Sequence, residues 1–150
     1  MVNGGFEGSA SPWVGSGTGY FYVNPGNYPH GGTGYIYFGV NNSVSGQSYQ
    51  TVTIPSTATG TLTFWLNVTS SETTTTTQYD RLFVEVRNTA GTLLATPATY
   101  SNLNKGTAGV YSQKSLNVAA YKGQTVRIQF RATTDSSLAT TFRVDDASLQ

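Results

Sequence analysis

Carboxylates are scarce in this chain, so their placement is the first clue to chemistry. Asp and Glu together number 7 in 150 residues, yet Glu7 closes Asn3-Gly4-Gly5-Phe6-Glu7 at one end, and Asp145 and Asp146 sit in Phe142-Arg143-Val144-Asp145-Asp146-Ala147-Ser148-Leu149 at the other. Acidic side chains beside glycine carbonyls make an all-oxygen environment that suits calcium, provided the fold brings the two ends together. A second group is available in the interior. Glu72 and Asp80 flank a threonine run, and Asp135 lies in Thr133-Thr134-Asp135-Ser136-Ser137. Two neighbouring loops could gather these three carboxylates around a second calcium; the simpler reading is that they are solvated loop residues.

Catalytic constellations are poorly supplied. His30 is the only histidine and there is no cysteine, so a Ser-His-Asp arrangement would have to use a residue in the turn-rich segment Asn27-Tyr28-Pro29-His30-Gly31-Gly32, where capping or packing is the simpler role. A hydrolase zinc site built on several histidines is absent. Glu85 with Glu72 or Asp80 could be offered as a glycosidase pair, but nothing in their spacing requires it, and Glu85 reads better as an in-sheet partner of Arg127 or Arg131. A non-enzyme is expected. Binding chemistry is better represented: Tyr35, Tyr37, Trp65 and Phe83 alternate away from the core, as do Asn67, Glu85, Arg87, Arg127, Gln129, Arg131 and Arg143. Rings that stack on the CH faces of a sugar, beside planar polar groups that bond its hydroxyls, are what a carbohydrate site needs. The competing reading is that a two-sheet fold has two outer faces and these side chains are divided between them.

The elements that must carry these groups are strands. Alternation of period two recurs, separated by Gly, Asn, Pro and Ser turn signals, with no helical apolar stripe. Ile36, Phe38 and Val40 form one inward set; Leu62, Phe64, Leu66 and Val68 a second; Leu82, Val84 and Val86 a third; Val126, Ile128 and Phe130 a fourth; Phe142 and Val144 the last. Weaker strands are expected over 20–23, 48–54, 93–100 and 113–118. Asn88-Thr89-Ala90-Gly91 reads as a hairpin loop and Tyr121-Lys122-Gly123-Gln124 as a turn. The run from Ser70 to Asp80 is either a hairpin extension or a loop. Nine or ten short strands imply an all-β fold, a two-sheet antiparallel sandwich with jelly-roll topology, as one domain over 1–150.

Composition removes several classes. Only 10% of residues are charged and the formal net charge is +1, which provides no basic surface for nucleic acid. No apolar run is long enough to cross a bilayer as a helix. Polar positions are filled by Thr, Ser, Gly, Asn and Tyr, an extracellular-looking surface, so secretion is expected. Without cysteine there is no disulfide staple, and a bound metal or a good β-core must stabilise the domain instead.

Asn3-Gly4-Gly5-Phe6-Glu7, Ser11-Pro12-Trp13, His30-Gly31-Gly32 before a Tyr-rich strand, and Val144-Asp145-Asp146-Ala147-Ser148-Leu149 together resemble jelly-roll carbohydrate-binding modules and related MAM-like accessory domains of secreted bacterial proteins. Segments 49–55, 79–87 and 121–128 resemble domains at the C-terminal end of secreted peptidases. The resemblance implies a non-catalytic accessory module, part of a larger secreted protein, that attaches to a polysaccharide or an extracellular protein substrate; a purely stabilising or spacer domain is the alternative. It also implies a structural calcium between the first and last strands, held by Glu7, the Gly5 carbonyl and one of Asp145 and Asp146. Alternation from Phe142 and Val144 favours Asp146, with further carbonyls expected from the turn Val40 to Ser43. Trp13 is expected to pack against the core edge.

Overall fold

A computed structural model of the chain describes residues 1–150 as ten strands. They are β1 (Val14–Gly17), β2 (Tyr20–Val23), β3 (Tyr35–Gly39), β4 (Ser45–Thr53), β5 (Thr61–Ser70), β6 (Arg81–Arg87), β7 (Leu93–Ser101), β8 (Ser112–Asn117), β9 (Thr125–Thr133) and β10 (Thr140–Leu149). Two antiparallel five-stranded sheets result, one in the order β1-β4-β9-β6-β7 and the other β2-β3-β10-β5-β8. Only β2 to β3 and β6 to β7 are hairpins within one sheet; every other connection passes to the opposite sheet, which gives the jelly-roll sandwich.

The inward stripes meet between the sheets in a core of 21 buried residues. Phe64 of β5 and Phe130 of β9 make an edge-to-face contact across the sheets at 5.0 Å, and Trp13 stacks at a tilt on both Phe6 and Phe130. Trp13 therefore packs where the sequence places it. The 88–91 hairpin forms as expected, with the N–H groups of Ala90 and Thr92 donating to the Asn88 side chain.

Local backbone chemistry overrides the alternation in several places. Val40 is exposed rather than inward, because β3 stops at Gly39, where φ is +87°, and Val40 itself sits at +70°. The strand β1, Val-Gly-Ser-Gly, has no apolar alternation to announce it; its register is set by pairing with Gly46 to Tyr49 of β4. The threonine run does not extend the strands, for β5 ends at Ser70 and β6 begins at Arg81. In β10 a bulge falls between Asp145 and Ser148, with Asp146 at φ +46°, so the inward stripe does not continue through Asp146 as period two would have it.

Phe130 joins both sheets and the N-terminal segment. Phe130→Ala is expected to cost about 3–5 kcal/mol in denaturant unfolding, against less than about 0.5 kcal/mol for the exposed Val40→Ala.

Candidate functional site

The two ends of the chain meet. The Ala147 N–H donates to the Gly4 carbonyl at 2.9 Å, an approach so close that a Cβ on Gly4 would overlap the Ala147 carbonyl. Glu7 accepts N–H groups of Thr33 and Gly34 on Oε1 and the Thr33 hydroxyl on Oε2; the Gly34 and Thr33 N–H groups hold its carboxyl below the usual range. Asp146 Oδ2 lies 2.6 Å from His30 Nδ1. Three glycines wrap the two carboxylates: a Cβ on Gly5 would come within 3.0 Å of Asp146 Oδ1, one on Gly31 within 2.6 Å of Asp146 Oδ2, and one on Gly32 within 2.2 Å of Glu7 Oε1. The cradle admits no side chain and is bordered by the Thr33 and Gly34 N–H groups and by His30; the carboxylate oxygens of Glu7 and Asp146 and the Gly5 carbonyl are the oxygen donors in it that would suit a hard cation. Asp145 plays a different part. It is fully buried, its Oδ2 accepts the N–H groups of His30 and Gly31 and its Oδ1 that of Asp146, and burial pushes its carboxyl up to about 6 against those bonds.

The turn Val40 to Ser43 is not near this clasp. Its amides bond Thr140 and Asp135 at the other end of β10, and the segment beside Glu7 and Asp146 is His30 to Gly32 instead. Consecutive glycines were the sequence signal for that close approach.

The aromatic and polar side chains expected to form one ligand surface are split between the two outer faces. On β4, β6 and β9 the groups satisfy one another. Arg131 lies 4.3 Å over the Phe83 ring and Arg127 4.2 Å over Tyr49, while Glu85, fully buried beneath them, pairs with both Arg87 and Arg131. Phe83, Glu85, Arg127 and Arg131 thus form a sealed cover, and Glu85 has the in-sheet partner anticipated for it.

On β3, β5 and β10 the picture is different. Trp65 is covered by His30, whose ring stacks on it at 3.9 Å, with Tyr111 edge-on to the same imidazole; His30 is a packing residue between Trp65 and Asp146. Asn67 is spent on the loop after β7: its amide donates to the carbonyls of Thr107 and Val110, and its Oδ1 accepts from Gly109 N–H and Arg143. Among what remains open is a cleft of about 190 Å³ lined by Asn27, Tyr28, Tyr35, Tyr37, Val40, Thr141 and Arg143. Tyr37 is backed by Phe21, stacked at 5.0 Å. Arg143 is fixed by bonds from Nη1 to Asn67 and Thr69 and lies 4.8 Å over Tyr28. The Tyr111 hydroxyl donates to the Tyr28 carbonyl at 2.7 Å, tying the two covering loops together. Burial, with Asp145 nearby, raises the Tyr111 hydroxyl well above the ordinary phenol. Tyr28 and Tyr111 lie in turn-rich segments with no periodicity, which is why strand alternation did not find them. The interior acidic residues do converge: Glu72, Asp80 and Asp135 bring oxygens within 4.8 Å of one another.

Neither a family model nor a curated protein matches the chain. Solved structures do match its fold. The carbohydrate-binding module TmCBM61, in complex with β-1,4-galactotriose, superposes with a TM-score of 0.69 at 19% identity over 100% of this chain and 96% of that one. A carbohydrate-binding module specific for non-crystalline cellulose gives 0.62 at 15% identity over 100% and 93%. A cleaved adhesin domain of Lys-gingipain from Porphyromonas gingivalis gives 0.64 at 15% identity over 92% and 89%. The chain has the β-sandwich fold of carbohydrate-binding modules. The same fold is seen in the gingipain adhesin domains.

Asn67 is the tie between the sheet and the 104–111 loop. Asn67→Ala is expected to lower stability by about 2–3 kcal/mol, since it leaves buried partners unpaired, and to speed amide exchange at Gly109 beyond the global opening rate.

Proposed function

We propose that this chain is a non-catalytic carbohydrate-binding module. The observation that carries this is the cleft beside β3 and β10, where Tyr28 and Tyr37, with Tyr35 buried at its back, stand around a guanidinium held in place by Asn67 and Thr69. Aromatic walls take the CH face of a sugar ring, while Arg143 and Asn27 bond its hydroxyls. The fold likeness to modules that bind β-1,4-galactotriose and non-crystalline cellulose supports a polysaccharide ligand, and the likeness to an adhesin domain of a peptidase supports attachment to a larger secreted enzyme. The second reading, a stabilising domain with no biological ligand, is favoured by the covering of Trp65 with His30.

Affinity electrophoresis against a panel of soluble glycans, β-1,4-galactan included, separates the two. Tyr37→Ala and Arg143→Ala are each expected to weaken binding about tenfold or more, roughly 1.4 kcal/mol, while Phe83→Ala on the opposite face leaves it unchanged. No retention on any glycan, or equal loss from all three variants, sinks the binding reading.

The same module holds a calcium ion in the clasp of Glu7, Asp146 and the Gly5 carbonyl, with Asp145 as a positioning carboxylate beneath it. The glycine cradle around both carboxylates supports this. The ion would tie the N-terminal segment to β10 electrostatically, and binding only the folded state it would stabilise by mass action. Melting in excess calcium is expected several degrees above melting in chelator, and Glu7→Gln should remove the part of that difference due to this site.

A further inference from the structure

At the far end of β10 the loop between β5 and β6 meets the loop between β9 and β10. Glu72 and Asp80 come from the first, Asp135 from the second, and their carboxylate oxygens lie within 4.8 Å of one another. Glu72 is 4% exposed and Asp80 not exposed at all. None of the three enters an ion pair: those of the chain are His30 with Asp146 and Glu85 with Arg87 and Arg131. Lys105, which reaches the spot, is spent on the Glu72 backbone carbonyl.

Asp80 is held rigidly. Its Oδ1 accepts the Asp135 N–H at 2.9 Å and its Oδ2 the Thr140 hydroxyl at 2.6 Å. Glu72 is not: its Oε1 is buried and has no hydrogen-bond partner. A buried carboxylate oxygen without a partner, beside two more carboxylates and with the nearby Lys105 ammonium bonded to backbone instead, is a configuration that folding penalises unless something neutralises it. Glu72 and Asp135 line a cavity of about 360 Å³ with Thr73, Thr74, Tyr79, Ser137 and Leu138, so hydroxyl-bearing side chains border most of the remaining space.

We propose that Glu72, Asp80 and Asp135 form a second divalent-cation site, of the calcium type, that joins the 71–80 loop to the 134–139 loop. The donors are oxygens only, which excludes the soft and imidazole-loving metals. The roomy, loop-built surroundings suit the larger, more flexible shell of calcium over the strict octahedron of magnesium. The site is separate from the clasp: Thr140, which bonds Asp80, and Asp146 are six strand residues apart, roughly 20 Å.

Calcium titration by calorimetry, with melting curves in calcium and in chelator, tests it on the whole chain and on Glu72→Gln, Asp135→Asn and Glu7→Gln. Glu72→Gln keeps shape and removes a charge, so in chelator it should melt at or above the unsubstituted protein; Asp80 is left alone because its carboxylate holds two loop bonds. The expected result is that Glu72→Gln and Asp135→Asn each weaken one calcium-binding event tenfold or more, a loss that Glu7→Gln does not share, and that magnesium does not compete. Calcium binding unchanged in both cluster variants, or no calcium binding by the unsubstituted chain, overturns the proposal. Loss in the cluster variants, with Glu7→Gln keeping every calcium-binding event of the unsubstituted chain, would refute the clasp alone and leave this site standing.

Discussion

Strand β10 is hydrogen-bonded along both edges, to β3 on one side and β5 on the other, and every candidate site hangs from it. Thr140 at its start anchors Asp80. Arg143 in its middle faces the open cleft. Asp145 and Asp146 near its end receive the His30 loop. A slip of one residue would turn all of these to the wrong face at once, and the register is pinned by Phe142 and Val144, both fully buried in the core. The bulge after Asp145 then does what continued alternation could not. It leaves Asp145 buried against Trp65's side of the sheet and swings Asp146, in the left-handed region that Asp tolerates better than most residues, toward Gly5 and Gly31.

The two outer faces handle the same kinds of side chain in opposite ways. On the face of β4, β9 and β6, Arg87, Arg127 and Arg131 each find a ring or a carboxylate, and Glu85 is buried between two guanidinium groups. Pairs of that kind exclude water and leave no polar fork free to meet a ligand. On the face of β3, β10 and β5 two loops climb over the sheet and meet where the Tyr111 hydroxyl bonds the Tyr28 carbonyl. They cover Trp65 and use up Asn67, yet stop short of Tyr37 and Thr141. The cleft is part of the uncovered remainder, and its guanidinium is oriented by the side chain, Asn67, that also holds one of the loops.

Strands with an apolar residue at every second position could be read directly, because burial of one face imposes period two; Leu62 to Val68, Leu82 to Val86 and Val126 to Phe130 are all found inward. Where glycine supplies the backbone geometry instead, the pattern is silent, as in β1 and at the end of β3. The meeting of the chain ends was legible as paired motifs, whereas the choice between Asp145 and Asp146 by alternation rested on a regular strand that the bulge interrupts. The division of the aromatic residues between two faces was out of reach for a different reason: which strands share a sheet is fixed by non-local pairing, and β3 joins β10 from the far end of the sequence. The convergence of Glu72, Asp80 and Asp135 was visible only as a possibility, since it depends on β6 lying beside β9.

A small cysteine-free sandwich must hold long loops by other than covalent means, and its carboxylates are arranged as cross-links would be. The bond between Asp135 and Asp80 joins residues 55 apart, and that between His30 and Asp146 residues 116 apart. Fixing contacts between such distant segments is entropically costly, and the cost rises only slowly with loop length. A few strong, localised contacts at the ends of β10 are therefore more effective than many weak ones spread along the loops. The buried, like-charged groups at those points reduce stability when left alone, because desolvation penalises the ionised form. The proposed hard cation would reverse the sign of that contribution. Repulsion between Glu72, Asp80 and Asp135 would become shared attraction to one centre, and the loops would gain a junction whose strength follows the calcium concentration around the protein.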